Sequence, residues 1–367
     1  MKRRIIFSNY DDPKNPFYGG GGARAIHEVA KRLAVRHDVK IITGSYPGSQ
    51  DETVDGVSYA RIGSDRAGPK SGQLLFQFLL PLQVRREDFD VWVESLTPPF
   101  STACLQLFTK QPVIALTQVL GGKAMSRKYH LPFGGIERFG LKTYRHVIAL
   151  SEFIKAEVLA ANPRAQVAVI PNGVEPELID RPVAKEEAHI LFLGRIDVEQ
   201  KGIDLLLNAC HRISPQLPLK LFIAGSGATR DEQWVARRVD ELGLKERVEM
   251  VGRIEGAEKF ELLRRAMFLV MPSRFEGFPL TLVEAFCFQM PVILFAIPEL
   301  AWLPDTCCVK VAPFDEAAFG RAILDLARDD KRRHAMGGAA KLFARQFSWD
   351  DLARKYEESF ETALQTR

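Results

Sequence analysis

The stretch RFEGFPLTLVEAFCF, residues Arg274–Phe288, is the part of the chain that decides the fold. It follows a short apolar run, Phe268–Pro272, that predicts a buried strand. A tight turn at Glu276-Gly277-Phe278-Pro279 then leads into a helix that Pro279 can open, because the N–H that proline lacks would be unpaired in a first helical turn. The stretch therefore predicts a strand, a sharp turn and a helix start in direct succession.

The start of this helix is predicted to bind an anion. The backbone N–H groups of Leu280, Thr281 and Leu282 have no partner inside the helix. Glu276 lies at the lip of the turn, and Glu284 lies eight residues later on the helix. Together these features predict a phosphate-bearing ligand rich in hydroxyl groups. An ordinary strand-to-helix joint with two solvated glutamates gives the same local pattern, so the rest of the chain has to decide.

Strands alternate with helices on both sides of this stretch. Apolar runs such as Arg4–Ser8, Val113–Thr117 and Ile190–Leu193 predict strands, and amphipathic segments between them predict helices. A polar segment with two prolines, Glu177–Ala188, is predicted to be a linker after which the alternation restarts. The sequence therefore predicts an α/β protein with two doubly wound, Rossmann-like parallel-sheet domains and a ligand cleft between them.

Composition sets limits on the class of protein. The 367 residues exceed what one hydrophobic core usually holds, and no apolar run reaches the length of a membrane span. The basic start Met1–Arg4 precedes only three apolar residues, which predicts a first strand with a charged leader and no signal peptide. Five cysteines without CxxC or Cys/His spacing indicate buried free thiols in a reducing cytoplasm and no metal site.

The charge is slightly basic in the first half. Residues 1–180 carry 23 Lys and Arg against 18 Asp and Glu, and the remainder carries 27 against 28. A basic half could meet an anionic acceptor or a membrane surface. Ordinary surface scatter is the favoured interpretation, because no block of lysine or arginine stands out.

Glycine-rich loops follow several predicted strands. Gly19 to Gly22 precede a helix and would let a ligand approach the backbone, although the run is neither a Walker loop nor a GxGxxG motif. Gly225-Ser226-Gly227 and Gly252-Arg253 each follow a strand and could border a base or a ribose. Flexible surface loops would account for each of these runs separately.

Two cations near the start of the second half could clamp a diphosphate. Gly194-Arg195 follows a strand, and Lys201-Gly202 begins the next helix six residues later. Arginine can act as a fork and lysine as a point charge. Solvated loop cations are the ordinary alternative.

Taken together, these motifs resemble the retaining glycosyltransferases of the large family 4, also described as group 1, which have the GT-B architecture. The resemblance covers nearly the whole chain. It is carried by the following stretches: ALSEF at Ala149–Phe153, IPNGV at Ile170–Val174, LFLGRIDVEQKG at Leu191–Gly202, MPSRFEGFPLTLVEAF at Met271–Phe286, and the pair Pro291-Val292.

The resemblance implies an enzyme that moves a sugar from a nucleotide-diphosphate sugar to an acceptor hydroxyl with retention of anomeric configuration. It implies no cofactor and no metal, with a UDP- or GDP-sugar as co-substrate. Three residues would be catalytic: Arg195 and Lys201 on the diphosphate, and Glu276 on the transferred sugar. The remaining donor-binding residues implied are Gly20, Gly21, Gly22, Gly225, Gly252, Arg253, Phe278, Pro279, Leu280, Thr281 and the ribose anchor Glu284.

The resemblance also implies domains at residues 1–176, on the acceptor side, and 177–345, on the donor side. A C-terminal helix at 346–367 would cross back to the first domain. We expect no nucleic-acid partner and a cytoplasmic protein with at most weak peripheral contact with the inner face of a membrane. The apolar run Leu74–Leu82 is predicted to be a buried helix, with an interfacial patch for a lipid-linked acceptor as the alternative.

Some residues depart from the family pattern. Gln118 stands where many relatives have a histidine near the reacting sugar, and His130 could substitute on the acceptor side. Pro279 replaces a common glycine and removes one N–H at the sugar, and Gln289-Met290 replaces a pair containing glycine. A degenerate module that binds sugar nucleotides without turnover and a nucleotide-sugar epimerase are the alternative functions.

Overall fold

The structure, a computed structural model, describes residues 1–15, 20–96, 103–182, 187, 189–217 and 219–366. The chain forms two compact units. The first unit comprises Met1–Gly173 and Trp349–Arg367, and the second comprises Val174–Ser348.

The first unit is built on a mostly parallel sheet. Its strands are β1 (Arg4–Ser8), β2 (Asp38–Gly44), β3 (Glu52–Val54), β4 (Val57–Ile62), β5 (Val91–Leu96), β6 (Val113–Thr117), β7 (His146–Ala149) and β8 (Gln166–Val169). Its helices are α1 (Gly21–Ala34), α2 (Pro69–Arg86), α3 (Gly122–Tyr129), α4 (Phe133–Leu141), α5 (Glu152–Ala161) and α13 (Trp349–Gln365). The sheet order is β3-β4-β2-β1-β5-β6-β7-β8, and the edge strand β3 is antiparallel to β4.

The second unit holds a parallel sheet in the order β11-β10-β9-β12-β13-β14. Its strands are β9 (His189–Leu193), β10 (Lys220–Ala224), β11 (Val248–Gly252), β12 (Leu269–Met271), β13 (Val292–Phe295) and β14 (Cys308–Val311). Its helices are α6 (Pro176–Ile179), α7 (Ile203–Ile213), α8 (Thr229–Glu241), α9 (Gly256–Arg265), α10 (Leu280–Cys287), α11 (Glu316–Arg328) and α12 (Asp330–Ala344).

Local sequence explains why these elements form. Every residue of β6, β9 and β13 is buried, which accounts for their largely apolar sequences, since helices cover both faces of a parallel sheet. Helix starts are capped by side chains where the sequence provides them: Ser151 accepts from the N–H of Ile154, and Asp315 accepts from the N–H of Ala318. The prediction of two parallel α/β domains is confirmed.

The run Leu74–Leu82 is helical as predicted, but the prediction that this helix is buried is wrong for one of its faces. Leu74, Leu75, Phe78 and Leu82 on α2 are 39%, 36%, 71% and 46% exposed. The inner face of α2 is buried through Phe76, Leu80 and Val84. An unbroken apolar run could not show which of its side chains the core would take up.

The predicted linker is also partly wrong. Pro176–Ile179 forms the short helix α6, and its side chains Leu178 and Ile179 are buried at 3% and 6% exposure. Positions 183–186 and 188 of that segment lie outside the described residues.

The C-terminal helix α13 belongs to the first unit and packs against α1. An ion pair joins the two helices, with Arg32 Nε 2.6 Å from Asp350 Oδ1. A second pair joins α13 to Arg36, two residues beyond the end of α1, with Arg36 Nη2 2.6 Å from Glu357 Oε2. Of the helices within the described ranges, none is both long enough and apolar enough to cross a bilayer.

Candidate functional site

The centre of the candidate site is a partly buried ion pair between two loops of the second unit. Lys201 lies between β9 and α7, and Glu276 lies in the turn between β12 and α10. Lys201 Nζ is 2.7 Å from Glu276 Oε1, and the hydroxyl of Ser273 donates to the same oxygen at 2.6 Å. Glu276 is 5% exposed, while the Lys201 side chain is 19% exposed. Residues 75 positions apart in sequence therefore meet with their charges paired and only the lysine partly open to solvent.

Arg274 connects these two loops through hydrogen bonds. Its backbone N–H donates to Gln200 O at 2.9 Å, and its guanidinium donates to both carboxylate oxygens of Asp204 at 2.8 and 2.7 Å. This bidentate contact raises the pKa of Arg274, with the hydrogen bond to Asp204 as the largest cause. Ser273 and Arg274 were missed as functional residues, although their place between β12 and the Glu-Gly-Phe turn was a signal that could have identified them.

Gly202 allows the loop that carries Lys201 to lie close to the backbone of Pro272. Its φ is +64°, and a Cβ atom at this position would lie 2.0 Å from the carbonyl oxygen of Pro272. A side chain is therefore excluded on both conformational and steric grounds. The glycine after Lys201 is required by the close contact with Pro272.

Arg195 lies on the same loop as Lys201 but makes different contacts. Its guanidinium lies 2.5 Å from Gln200 Oε1 and 3.6 Å from Asp197 Oδ2, and the side chain is 59% exposed. A solvated arginine of this kind can reorient toward an incoming anion at little cost.

The start of α10 differs from the prediction in two details. Pro279 is the N-cap residue, and the helix begins at Leu280. The N–H of Leu282 was expected to be unpaired, but it donates to the carbonyl of Pro279 at 3.1 Å. Among the described residues, no acceptor faces the N–H groups of Leu280 and Thr281. Two donors therefore remain at this helix start where three were predicted.

Phe278 fixes the turn through its side chain. It is 8% exposed and stacks on Trp302 with ring centroids 4.9 Å apart and planes at 10°. Phe347 packs against both rings, with centroids 5.7 Å from each. The aromatic cluster holds the backbone between Glu276 and Leu280 in place. Because the Phe278 side chain is used in this packing, Phe278 can contact a ligand only through its main chain.

Glu299 is a further carboxyl group near the centre. Burial raises its pKa, and the negative charge of Glu276 contributes in the same direction. Glu299 was missed because a single Pro-Glu dipeptide, at the start of a 3₁₀ turn, carried no pattern.

Glu284 is paired with a lysine that the sequence did not point to. Lys259 Nζ on α9 lies 2.7 Å from Glu284 Oε1 on α10. Both side chains are about nine-tenths buried, at 10% and 6% exposure. Lys259 was overlooked because a lysine in the charged segment Glu258–Arg265 is typical of a solvated helix face.

The glycines at the ends of β10 and β11 have a clear backbone role. Gly225 has φ +143°, its N–H donates to Gly252 O at 2.7 Å, and a Cβ atom would lie 1.8 Å from Gly194 O. Gly252 has φ +82° and open space around it. Arg253 is 54% exposed and pairs with Glu255. Close packing of adjacent strand ends explains Gly225, while the predicted contact of Gly252 and Arg253 with a base stays a prediction.

In the first unit, the structure places the glycine cluster beside Gln118. Gly20 is the N-cap residue of α1, and Gly21 and Gly22 form its first turn. A Cβ atom on Gly22 would lie 3.5 Å from Gln118 Cδ. His130 is elsewhere: it ends α3 in the left-handed conformation with an exposed side chain. Gly19 lies outside the described residues.

The described side chains include no cluster of three or more histidine, cysteine, aspartate or glutamate residues with the geometry of a metal site. Among the described residues, Lys201 pairs with Glu276 and Lys259 pairs with Glu284, while Arg195 lies on the same loop as Lys201.

Family comparisons match both halves of the chain. Residues 19–178 match the family described as Glycosyltransferase Family 4, and residues 187–329 match the one described as Glycosyl transferases group 1. Together these matches span most of the sequence.

Curated relatives are similar over part or most of the chain. A glycosyltransferase of Methanocaldococcus jannaschii is 29% identical over 61% of this chain, and the alignment spans only 62% of that relative's own length. The GDP-mannose:cellobiosyl-diphosphopolyprenol alpha-mannosyltransferase of Xanthomonas oryzae pv. oryzae is 28% identical over 68% of this chain and 71% of its own.

Among solved structures, the sucrose-phosphate synthase of Thermosynechococcus elongatus has the same fold. It superposes with a TM-score of 0.84 over 100% of both chains at 20% sequence identity.

Proposed function

Since the chain belongs to the family 4, group 1 glycosyltransferases and has their GT-B fold, we propose that it transfers a sugar from a nucleotide-diphosphate sugar to an acceptor hydroxyl with retention of configuration and without a metal. The observation that carries this proposal is the partly buried Lys201–Glu276 pair in the loop that leads into α10. The pair joins a cation to a carboxylate that lies four residues before the first residue of α10, Leu280.

The chemistry of donor cleavage accounts for the cations. Breaking the bond between the anomeric carbon and the diphosphate oxygen places negative charge on the leaving group. Lys201 and Arg195 would neutralise this charge, and the N–H groups of Leu280 and Thr281 would donate to sugar or phosphate oxygens. A metal ion would be redundant in this role.

Glu276 would hold the transferred sugar. One of its oxygens already accepts from Lys201 and Ser273, so its position is fixed before the donor arrives. Hydroxyl groups of the sugar can donate to the other oxygen. Such preorganised contacts stabilise a transition state without reorganisation during the reaction.

The acceptor hydroxyl would attack the anomeric carbon from the face that the diphosphate leaves. A new C–O bond forms as the old one breaks, and the hydroxyl proton passes to an oxygen of the departing phosphate. Gln118 cannot exchange a proton near neutral pH. The proton transfer is therefore assigned to the donor itself.

The donor is proposed to be a UDP- or GDP-sugar. Glu284 would accept hydrogen bonds from the ribose hydroxyls, and Gly252 with Arg253 would border the base. A relative of this chain bears the name of a GDP-mannose-dependent enzyme, which supports GDP among the candidates.

The acceptor is proposed to carry a lipid. The exposed apolar side chains of α2, Leu74, Leu75, Phe78 and Leu82, support an interfacial surface of the first unit. The name of the Xanthomonas relative includes a diphosphopolyprenol acceptor. Sedimentation with anionic liposomes tests this: weak pelleting that Phe78→Ser abolishes supports a lipid-linked acceptor, and no pelleting favours a water-soluble one.

Transfer itself is tested in two stages. A thermal-shift screen against UDP-, GDP-, ADP- and dTDP-sugars identifies the donor, because a bound ligand raises the melting temperature. Donor hydrolysis and transfer are then compared between wild type, Glu276→Gln and the exposed control Glu249→Gln. We expect turnover by wild type and the control, and a loss of about 10²- to 10³-fold in Glu276→Gln. Binding without turnover by wild type would contradict the proposed function.

A further inference from the structure

The ammonium group of Lys259 has more N–H donors than the described residues provide acceptors. Lys259 is 8% exposed, and among the described residues its Nζ donates to one acceptor, Glu284 Oε1 at 2.7 Å. An ammonium group carries three N–H donors. Two donors of a nine-tenths buried cation therefore lack an acceptor in the part of the chain that the structure describes.

The surroundings of Lys259 do not supply the missing acceptors. Its Nζ lies 5.1 Å from the centre of the Phe260 ring, and Arg181 lies 5.0 Å from the same ring. A ring face attracts a cation but offers no lone pair in place of a hydrogen-bond acceptor. Buried polar groups almost always have at least one hydrogen-bond partner, and Glu284 is that partner for Lys259. The other two N–H donors are available to a ligand.

We propose that Lys259 and Glu284 together read a hydroxyl group of the nucleotide ribose. This inference rests on the proposed function, in which Glu284 anchors the ribose. A hydroxyl is both a donor and an acceptor. Its proton would go to the Glu284 carboxylate, and its oxygen would accept an N–H from Lys259. Lys259 is thus a specificity-determining residue that selects ribonucleotide over deoxyribonucleotide donors.

The expected discrimination follows from the cost of a missing partner. A deoxynucleotide that lacks the hydroxyl leaves one N–H of Lys259 without an acceptor in a buried site and removes a charge-assisted hydrogen bond. Losses of this kind correspond to a change in dissociation constant of about 10- to 100-fold. A lysine that only balanced the charge of Glu284 would weaken binding of ribonucleotides and deoxynucleotides by the same factor.

Calorimetric titration of UDP and GDP against their 2′-deoxy and 3′-deoxy counterparts tests the inference. Wild type is expected to bind the ribonucleotide of its preferred base about 10- to 100-fold more tightly than at least one deoxy form. In Lys259→Met this ratio should fall to near one. Lys245→Met is the control, since Lys245 is 67% exposed in the same unit and pairs with Asp240; its ratio should equal that of wild type.

Two results would overturn the inference alone: equal binding of all three sugar forms by wild type, or an unchanged ratio in Lys259→Met. If Lys259→Met does not fold, the comparison of ribonucleotide and deoxynucleotide binding by wild type still tests the inference. Lys259→Arg, which keeps the charge and the N–H donors, should then retain the preference for the ribonucleotide. If wild type binds no nucleotide at all, the proposed function fails and the inference fails with it.

Discussion

The Lys201–Glu276 pair allows structural and catalytic roles to be separated by a double-mutant cycle. Glu276 is 5% exposed and Lys201 is 19% exposed. Removing the lysine therefore leaves a buried carboxylate for which, among the described residues, the Ser273 hydroxyl is the remaining side-chain donor. Breaking a fully buried pair costs about 3–5 kcal/mol, and breaking an exposed one costs about 0–1 kcal/mol. For this intermediate burial we expect Lys201→Met to lower the free energy of unfolding by about 2–4 kcal/mol.

The cycle is completed by Glu276→Met and by the double variant. Removing both charges eliminates the uncompensated carboxylate, so the double variant should be more stable than the sum of the two single effects predicts, by about 1 kcal/mol or more. Urea unfolding curves measure these values. Arg195→Met is the matched control: its side chain is 59% exposed, and we expect a change within about 0.5 kcal/mol.

Activity should not follow stability in this series. The double variant should regain stability but stay inactive, and Arg195→Met should stay stable while losing turnover, because both cations are assigned to the leaving diphosphate. The argument that burial makes this ion pair costly to break would be refuted if the changes in unfolding free energy of the two single variants were strictly additive. A Lys201→Met variant as stable as wild type would refute it too. An active double variant would refute the assignment of Lys201 and Glu276 to the reaction.

Three further predictions concern backbone strain and buried histidine. Gly225→Ala should destabilise by more than about 2 kcal/mol, because its φ is +143° and its Cβ would overlap Gly194 O; an unchanged urea midpoint would contradict this. Gln289→Gly should stabilise by about 0.5–1 kcal/mol, since Gln289 follows α10 at φ +58°, a position that favours glycine; a lower melting temperature would contradict this. Burial lowers the pKa of His189 below its ordinary value of 6.5, so the unfolded chain binds a proton that the folded chain does not as pH falls below about 6.5. The free energy of unfolding should therefore be constant above that pH and fall below it. In paired unfolding curves, His189→Phe should reduce the fall in this free energy between pH 7 and pH 5.5; an equal fall in both proteins would contradict the prediction.

Sequence was sufficient for the architecture because the two patterns behind it are local. Continuous apolar runs such as Val113–Thr117 identify strands covered on both faces, and amphipathic segments such as Ile203–Ile213 identify the helices between them. The short strands β3 and β4 and the helices α3 and α4 were not predicted, since their sequences mix polar and apolar residues without a sustained period.

The candidate site was only partly predictable. Lys201 and Glu276 could be proposed as neighbours because each belongs to a motif at the carboxyl end of a strand. Lys259 could not, because its burial depends on how α9 packs against α10. The exposure of Phe78 was hidden for the related reason that an apolar run does not reveal which of its faces the core covers.

The most direct test of the central claim is release of nucleoside diphosphate from the proposed sugar-nucleotide donor, measured in the presence of EDTA. Wild type should release it, more rapidly when an acceptor hydroxyl is supplied, and Lys201→Met should release it at least about 10²-fold more slowly. A wild-type protein that binds a sugar nucleotide but leaves it intact with every acceptor would contradict the account, and release that requires a divalent metal would contradict the roles given to Arg195 and Lys201.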